Sequence, residues 1–506
     1  MNLDLRDLRQ KTLANDGENF PSAIYRGLVL EPAYDEAKTN LLAYMHQANR
    51  AHLAALFHCG IISGGDASTI KSALDALPLV QFANSSYSGE FEDLFFAVED
   101  WLIGYAGDAA GNLHIARSRN DMGVALYRLA LRNLLLQLIS SAVSLENALA
   151  AFASEHTQTA MIAHTHTQQA QPTTLGHYVA GVVFMLDRDI KRLQAAYAQV
   201  NRSPLGAAAI TTSGFPLDRE LIRSYLGFES LIENSYDAIG GGDYIGETAA
   251  CAKLACNNLG RFINDLLLWS TQEFGYMLLA APYIQISSIM PQKRNPVSIE
   301  HMRSLLSSAS GDCSSALLML HNTPYGDIVD TEDDAQPYLW RALKKLDGIY
   351  NLLEAVIATA HVDAEKMEAR AGDSFAVVTE LADTLVREAG IPFRMAHSVA
   401  QKLVNKCLDE NLKLSDINYA LISDEYKNVV GTDLNVAPEI ITKSLKYKNF
   451  IEIRSMKGGP EVKELTRCIS IDLVEKIMQN TAWLEKKRLC IDDAIAILDE
   501  AYGSIP

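Results

Sequence analysis

No proline falls between Pro78 and Pro172, between Pro216 and Pro282, or between Pro337 and Pro392. A proline inside a helix removes a hydrogen bond and clashes with the preceding turn, so proline-free runs of this length leave room for very long helices. The stretch VALYRLALRNLLLQLISSAVSLENALAAFASE (Val124 to Glu155) also lacks glycine and repeats apolar residues at three- and four-residue steps. Average globular helices run to about 11–12 residues, and one near thirty needs neighbours along its whole length. The runs Tyr244 to Ala280, Ser298 to Asn322 and Ala342 to Val362 have the same character. The expected class is therefore all-α, with a long central helical bundle. Several of these helices are apolar on more than one face, which calls for burial against other copies of the chain.

A chain of 506 residues exceeds one compact core,. Its two ends hold shorter segments broken by GG, SSYSG and lysine-rich loops. The expected division is an N-terminal domain over 1–113, the bundle over 114–364 and a C-terminal domain over 365–506. The formal net charge of −18 argues against nucleic acid and anionic membrane as partners,. The N-terminus lacks the basic-then-apolar pattern of a signal peptide, and no uncharged apolar run reaches the roughly 20 residues of a membrane helix. Seven scattered cysteines fit buried, reduced thiols in a cytoplasmic protein,.

Long helices make poor pockets alone, so chemistry is expected where loops meet helix ends. Three clusters stand out. In HIARSRND (His114 to Asp121), two arginines with Ser118 and Asn120 precede a helix, where free backbone N–H groups and the dipole favour an anion. The competing reading is a helix cap by Asn120 or Asp121. AHTHTQQAQPTTLGHY (Ala163 to Tyr178) holds three histidines. His164 and His166 cannot chelate from one helix face, and no acidic or cysteine ligand is near, so one histidine as proton carrier is the stronger reading. ISSIMPQKRNPVSIE (Ile286 to Glu300) places Ser287 near Lys293 and Arg294, charges that lower the cost of a serine alkoxide,.

Together these strings resemble the argininosuccinate lyase branch of the fumarase/aspartase superfamily. That branch's Gly-Ser-Ser-x-Met-Pro-x-Lys-x-Asn-Pro appears as ISSIMPQKRNP, its H-x-x-R-S-R-N-D as HIARSRND, and its Y-T-H-x-Q-x-A-Q-P as HTHTQQAQP. SPLGAAAITTSGFPLDRE, NSYDA and LADTLVREAGIPFRMAH add to the likeness, which runs from about residue 30 to residue 470. The resemblance implies a carbon–nitrogen lyase that eliminates an amine from an N-succinyl amine and releases fumarate. It implies a cytoplasmic homotetramer around a twenty-helix core, each site drawn from three subunits, with no metal or organic cofactor. Ser287 would be the base, with His166 assisting and oriented by Glu300. Lys293 and Asn295 would stabilise the aci-carboxylate. Ser118, Asn120 and Thr165 would hold the succinyl carboxylates, and Arg119 would add positive charge.

Four features depart from the pattern. The signature glycine is Ile286, the tyrosine before Thr165 is His164, and a charged stretch after NSYDA becomes Gly240 to Gly242. After Tyr325, a residue expected at the amine subsite, the branch's Gln and Lys positions are Asp330 and Asp333. Exchanging a cation for an anion reverses which amine is welcome. An amine such as a diamine or another amino acid, as in ethylenediaminedisuccinate lyase, is the expectation. The alternatives are an ordinary argininosuccinate lyase of arginine biosynthesis and, more remotely, a crystallin-like structural protein.

Overall fold

The computed structural model describes residues 4–506, and its architecture is all-α with four two-stranded ribbons. The N-terminal part contributes α1 (Glu31–Asn40), α2 (Leu42–His58) and α3 (Leu94–Ala106) among other short helices. The bundle begins with α4 (Arg119–Glu155), which leads through the hairpin β1 (Ala160–Thr165) and β2 (Gln168–Thr174) into α5 (Leu175–Val200). Then come α6 (Asp243–Trp269), β3 (Met277–Leu278), β4 (Gln285–Ile286), β5 (Arg294–Asn295), α7 (Val297–Met319) and α8 (Gln336–Thr359). After β6 (His361–Val362) and α9 (Ala364–Gly372), shorter helices lead to a closing helix, α10 (Val474–Gly503).

Five long helices, α4 to α8, alternate in direction. Apolar side chains at helical spacing explain their packing. On α7 the buried apolar set is Ile299, Met302, Leu306, Ala309, Cys313 and Ala316, a single three-four stripe,. On α6 it runs from Tyr244 and Ile245 to Leu266 and Trp269. α4 is buried nearly all round and even takes Arg128 and Arg132 inside. Arg128 donates to the carbonyls of Gln199 and Val200 at the end of α5 (2.8 and 3.4 Å) and lies 3.9 Å over the Tyr244 ring. The helix's negative end thus meets the guanidinium.

Several sequence expectations change. The helix expected over 244–280 stops at Trp269, because the Ser270 and Thr271 hydroxyls take the carbonyls of Leu266 and Leu268. Gly275 then turns the chain at φ +57°, a conformation that costs glycine little,. Helices α5 and α10 were not anticipated. α4 is long and apolar enough to cross a membrane by length and composition, but Arg128, Arg132 and Glu146 interrupt it and its most apolar stretch is 61% buried within the protein. Cys256, Cys313, Cys407 and Cys468 are buried thiols, whereas Cys59 and Cys251 are half-buried and Cys490 is exposed.

One compact core gathers residues from Val377 to Phe450. α10 lies elsewhere. Its first half packs on the bundle through Ile477 and Leu484, and its end reaches the N-terminal core through Leu498 and Tyr502. On the bundle it carries Asn480, fully buried, which donates to Glu146 (3.1 Å) and Asp187 (3.2 Å) and accepts from Lys191 (2.7 Å). Lys476 donates to Asp187 (2.8 Å). The second carboxylate oxygen of Glu146 has no partner among the described residues. Burial pushes the Glu146 carboxyl up to about 7, against the pull of Asn480 and the two lysines.

That folded-state value lies above the 4.5 of a free glutamate. The native state therefore binds more protons than the unfolded chain, and this carboxyl costs stability as pH rises from about 4.5 to about 7. We predict that Glu146→Gln gains on the wild type across that window, by on the order of 2 kcal/mol above it. Urea unfolding at pH 5 and pH 8 measures the difference. Equal stabilities of the two proteins at both values would count against the assignment.

Candidate active site

The loop entering α4 is built around one buried carboxylate. Ser118 is the N-cap, its Oγ accepting from the Asn120 N–H, while Asp121 accepts from the Ser118 N–H at 2.9 Å. This closes a capping box. The other oxygen of Asp121 accepts from the backbone N–H groups of Gly206 (2.9 Å) and Ala208 (3.0 Å). The Asn120 amide donates to Ala209 O (3.2 Å). Two sequence strings, HIARSRND and SPLGAAA, are thereby held against each other. Burial pushes the Asp121 carboxyl up to about 6 despite those N–H donors. The cap reading and the anion reading coexist here, with Ser118 as the cap rather than Asn120 or Asp121.

Arg119 turns toward the N-terminal helices. It is 3.3 Å from both Glu92 and Asp93 and sits over the Phe96 ring. Its charge is thus already balanced, a circumstance not legible from HIARSRND alone. Asp93 N-caps α3 by accepting from the Phe96 N–H. Neither acid was singled out in the sequence, although Asp93 before an apolar run is a cap signal.

Tyr325 lies at this same end. Its hydroxyl donates to Asp237 at 2.8 Å, which raises its pKa, and its ring stacks on Tyr236 at 5.6 Å. The glycine run explains how the segment comes so close. A Cβ on Gly240 would lie 2.9 Å from the Gly326 nitrogen. Asp330 opens a short π-helical turn, Asp330–Asp334, that feeds α8. Asp333 accepts from the Tyr127 hydroxyl at 2.7 Å, which brings it beside α4 and Arg119. Glu332, not anticipated, lies there too, while Asp330 stands outside that contact. Burial raises the Glu332 carboxyl strongly, helped by Asp327 and Asp333 and opposed by Arg119.

His166 and Thr165 stand on the β1–β2 hairpin. The two turn residues, His166 and Thr167, have φ of 51° and 62°. Both are in the left-handed region of a two-residue primed turn, where Asn-Gly is usual. A bulge at Ala163/His164 precedes them, and both side chains are exposed. Ser374 fastens the hairpin to the C-terminal part by donating to Gln169 at 2.7 Å.

Ser287 follows β4 and is half-buried. Its Oγ accepts from the backbone N–H of Met290 (3.1 Å) and Ile289 (3.4 Å). Such donors favour an alkoxide. Ile286 pairs with Arg294 in the β4–β5 ribbon and is not among the left-handed residues. The position does not use glycine's freedom, so isoleucine costs nothing there. Lys293 is exposed and Asn295 half-buried in that ribbon, and Glu300 is exposed in the first turn of α7.

These groups occupy opposite ends of the bundle. Ser118, Arg119, Asn120, Tyr325 and Asp333 surround the start of α4. Thr165 and His166 follow its end, and the Ser287 ribbon precedes α7, which runs back along α6. At about 1.5 Å per residue, the 37 residues of α4 separate the two ends by about 55 Å,. One chain cannot bring them onto a single small substrate. Copies of the chain, laid with opposite ends together, can.

Comparison with known proteins agrees with the family motifs and with the fold. The lyase family model matches residues 86–311, and the argininosuccinate lyase C-terminal model matches 375–452. The chain is 36% identical to argininosuccinate lyase 2 of Agrobacterium fabrum over 88% of its own length and 89% of the relative's. It belongs to the argininosuccinate lyase family. Within the fumarase/aspartase superfamily this makes it a carbon–nitrogen lyase. An EDDS lyase variant with bound fumarate superposes with a TM-score of 0.84 at 30% identity, covering 92% of each chain. EDDS lyase in complex with formate gives 0.84 at 29% identity over 98% of each.

The separation of the two ends yields a prediction. Asn120→Ala and His166→Ala are each expected to be nearly inactive. Refolded together, they should regain part of the wild-type activity, because some sites then draw each end from an undamaged chain. Fumarate absorbance measures this, and a mixture no more active than its components would place both residues in one chain's site.

Proposed function

We propose that this lyase reversibly eliminates a cationic amine, of the diamine kind, from an N-succinyl amine to release fumarate. Ser287 takes the Cβ proton, the electron pair is held as an aci-carboxylate, the Cα–N bond breaks, and the amine leaves with a proton. The charge on the aci-carboxylate is the hard part, and Lys293, Asn295 and the loop N–H groups are suited to it. Ser118, Asn120 and Thr165 hold the succinate carboxylates. His166, oriented by Glu300 of another copy, carries a proton. Thr165 and His166, the Ser287 ribbon and the α4 loop would come from three chains of a cytoplasmic homotetramer. Exposed leucines on the bundle, Leu254 and Leu268 of α6 with Leu305 and Leu318 of α7, support that burial. Five long helices from each of four chains would give a twenty-helix core.

The observation that carries the amine reading is Asp333. Its hydrogen bond to Tyr127 keeps a carboxylate within two helical turns of Asn120. The similarity to EDDS lyase points the same way, and that to argininosuccinate lyases keeps argininosuccinate as the second reading. A carboxylate at that place favours a surplus ammonium and disfavours the free carboxylate of arginine.

Two measurements test this. Ser287→Ala should lower kcat at least about a hundredfold while leaving assembly intact, the usual cost of a lost general base. Retention of a tenth of the activity removes Ser287 from that role. The wild type should prefer a diamine-derived substrate to argininosuccinate in kcat/KM, and Asp333→Lys should shift the ratio back. A wild-type preference for argininosuccinate above about tenfold, or 1.4 kcal/mol, supports the second reading.

A further inference from the structure

HIARSRND carries two arginines, and the fold treats them differently. Arg119 faces Glu92 and Asp93 at 3.3 Å each, so its charge is matched. Arg117 is buried, and among the described residues it forms no salt bridge. Its Nη1 donates to the side-chain carbonyl of Asn49 on α2 at 2.6 Å, and its Nε has no partner. Burial lowers the Arg117 pKa to about 10, opposed by the charges of Asp121 and Glu99, so the guanidinium stays protonated. Asp121 has both oxygens engaged by the N–H groups of Ser118, Gly206 and Ala208. Glu99 is half-buried and lines a small cavity together with Arg117 and His114. A buried charge is costly unless a counter-charge is bonded to it. Here α2 offers a neutral amide instead.

The neighbouring contact is neutral too. One turn along α2, His52 donates from Nε2 to the Ile115 carbonyl at 2.9 Å. A carbonyl can only accept, which fixes the proton on that nitrogen. Burial and the nearby Arg117 push the His52 pKa down to about 3, so the ring adds no charge. Between the two anchors Ala116 stands at φ +59°, in the left-handed region. α2 thus clamps the loop on each side of Ala116 and holds Arg117 next to Ser118 in the chain.

We propose that Arg117 is a reserved positive charge whose field strengthens the anion site at the start of α4, with Asn49 keeping it fixed and uncompensated. The proposal rests on the reading in which Ser118 and Asn120 hold a succinyl carboxylate, and adds what draws the anion there. Arg117 does not touch the substrate. It acts across the protein interior, where salt and water screen a charge far less than at the surface. The N–H groups at the helix start give the anion its direction, and the guanidinium adds a full charge. The arriving carboxylate is the counter-charge that the folded chain withholds.

The experiment is fumarate binding to the full-length protein by titration calorimetry, which requires no knowledge of the amine. Asn49→Asp sets a carboxylate against Arg117 at nearly unchanged shape. It should weaken fumarate at least about tenfold while leaving the thermal midpoint unchanged or higher. Asn49→Ala removes the hold but leaves the charge, so it should weaken fumarate less and lower the midpoint. A contact that serves packing alone gives the reverse order. Glu99→Gln removes a negative charge near Arg117 and should tighten fumarate about threefold. That arm does not depend on either Asn49 variant folding. Affinity unchanged in both Asn49→Asp and Glu99→Gln, or a greater loss in Asn49→Ala than in Asn49→Asp, would overturn the role of Arg117. The anion site itself still stands in that case if Asn120→Ala fails to bind fumarate. Wild-type affinity in Asn120→Ala would overturn the site and this proposal together.

Discussion

Everything in this enzyme depends on the straight run of α4. A helix buried on nearly every side cannot bend to bring its ends together, and its 37 residues set a fixed span. The loop that opens it and the hairpin that follows it are both rich in polar side chains suited to a small anion. Rigid packing against α5 and α8 keeps those ends apart in every conformation available to one folded chain. On the reading proposed above, catalysis by this set of residues would belong to an assembly, and affinity between copies would enter the activity directly.

The ends are also held in different ways. At the α4 start, Asp121 gathers N–H donors from two distant loops, so a single carboxylate keeps Ser118 and the 206–208 backbone in register. At the hairpin, the backbone itself is strained. Two non-glycine residues in left-handed conformation cost of order 1–3 kcal/mol each and persist where the surroundings impose them. The bond from Ser374 to Gln169, and the packing of Ala160 and Ile162 on Ala371 and Ile451, are those surroundings. The C-terminal part thus helps to shape the place where His166 stands.

Much of this was legible in the sequence. Proline spacing and three-four apolar repeats located α4, α6, α7 and α8, and the three polar clusters fell at helix ends. Their mutual distance was not legible, because motif order says nothing about which way successive helices run. α5 is less legible although its apolar repeat is regular, because it opens directly out of the polar, histidine-bearing hairpin. α10 was missed because its buried face is sparse, with Ile477, Asn480, Leu484 and Leu498 spread over thirty residues. The partners of Arg119 lie in FED, more than twenty residues upstream, and only folding brings them to it.

The near-contact of Gly240 with Gly326 has a consequence for how such an enzyme changes its taste. The 325–334 segment leans on a stretch of backbone stripped of side chains. Gly242 and Gly246 likewise lie within 3.2 Å of Leu320 methyl groups once a Cβ is imagined on them. This 325–334 segment, grafted onto a relative with bulk at 240–242, would be pushed outward by its new neighbour. Ancestral or designed chimeras of this family would have to exchange the two stretches as a linked pair, like a key cut together with its lock plate.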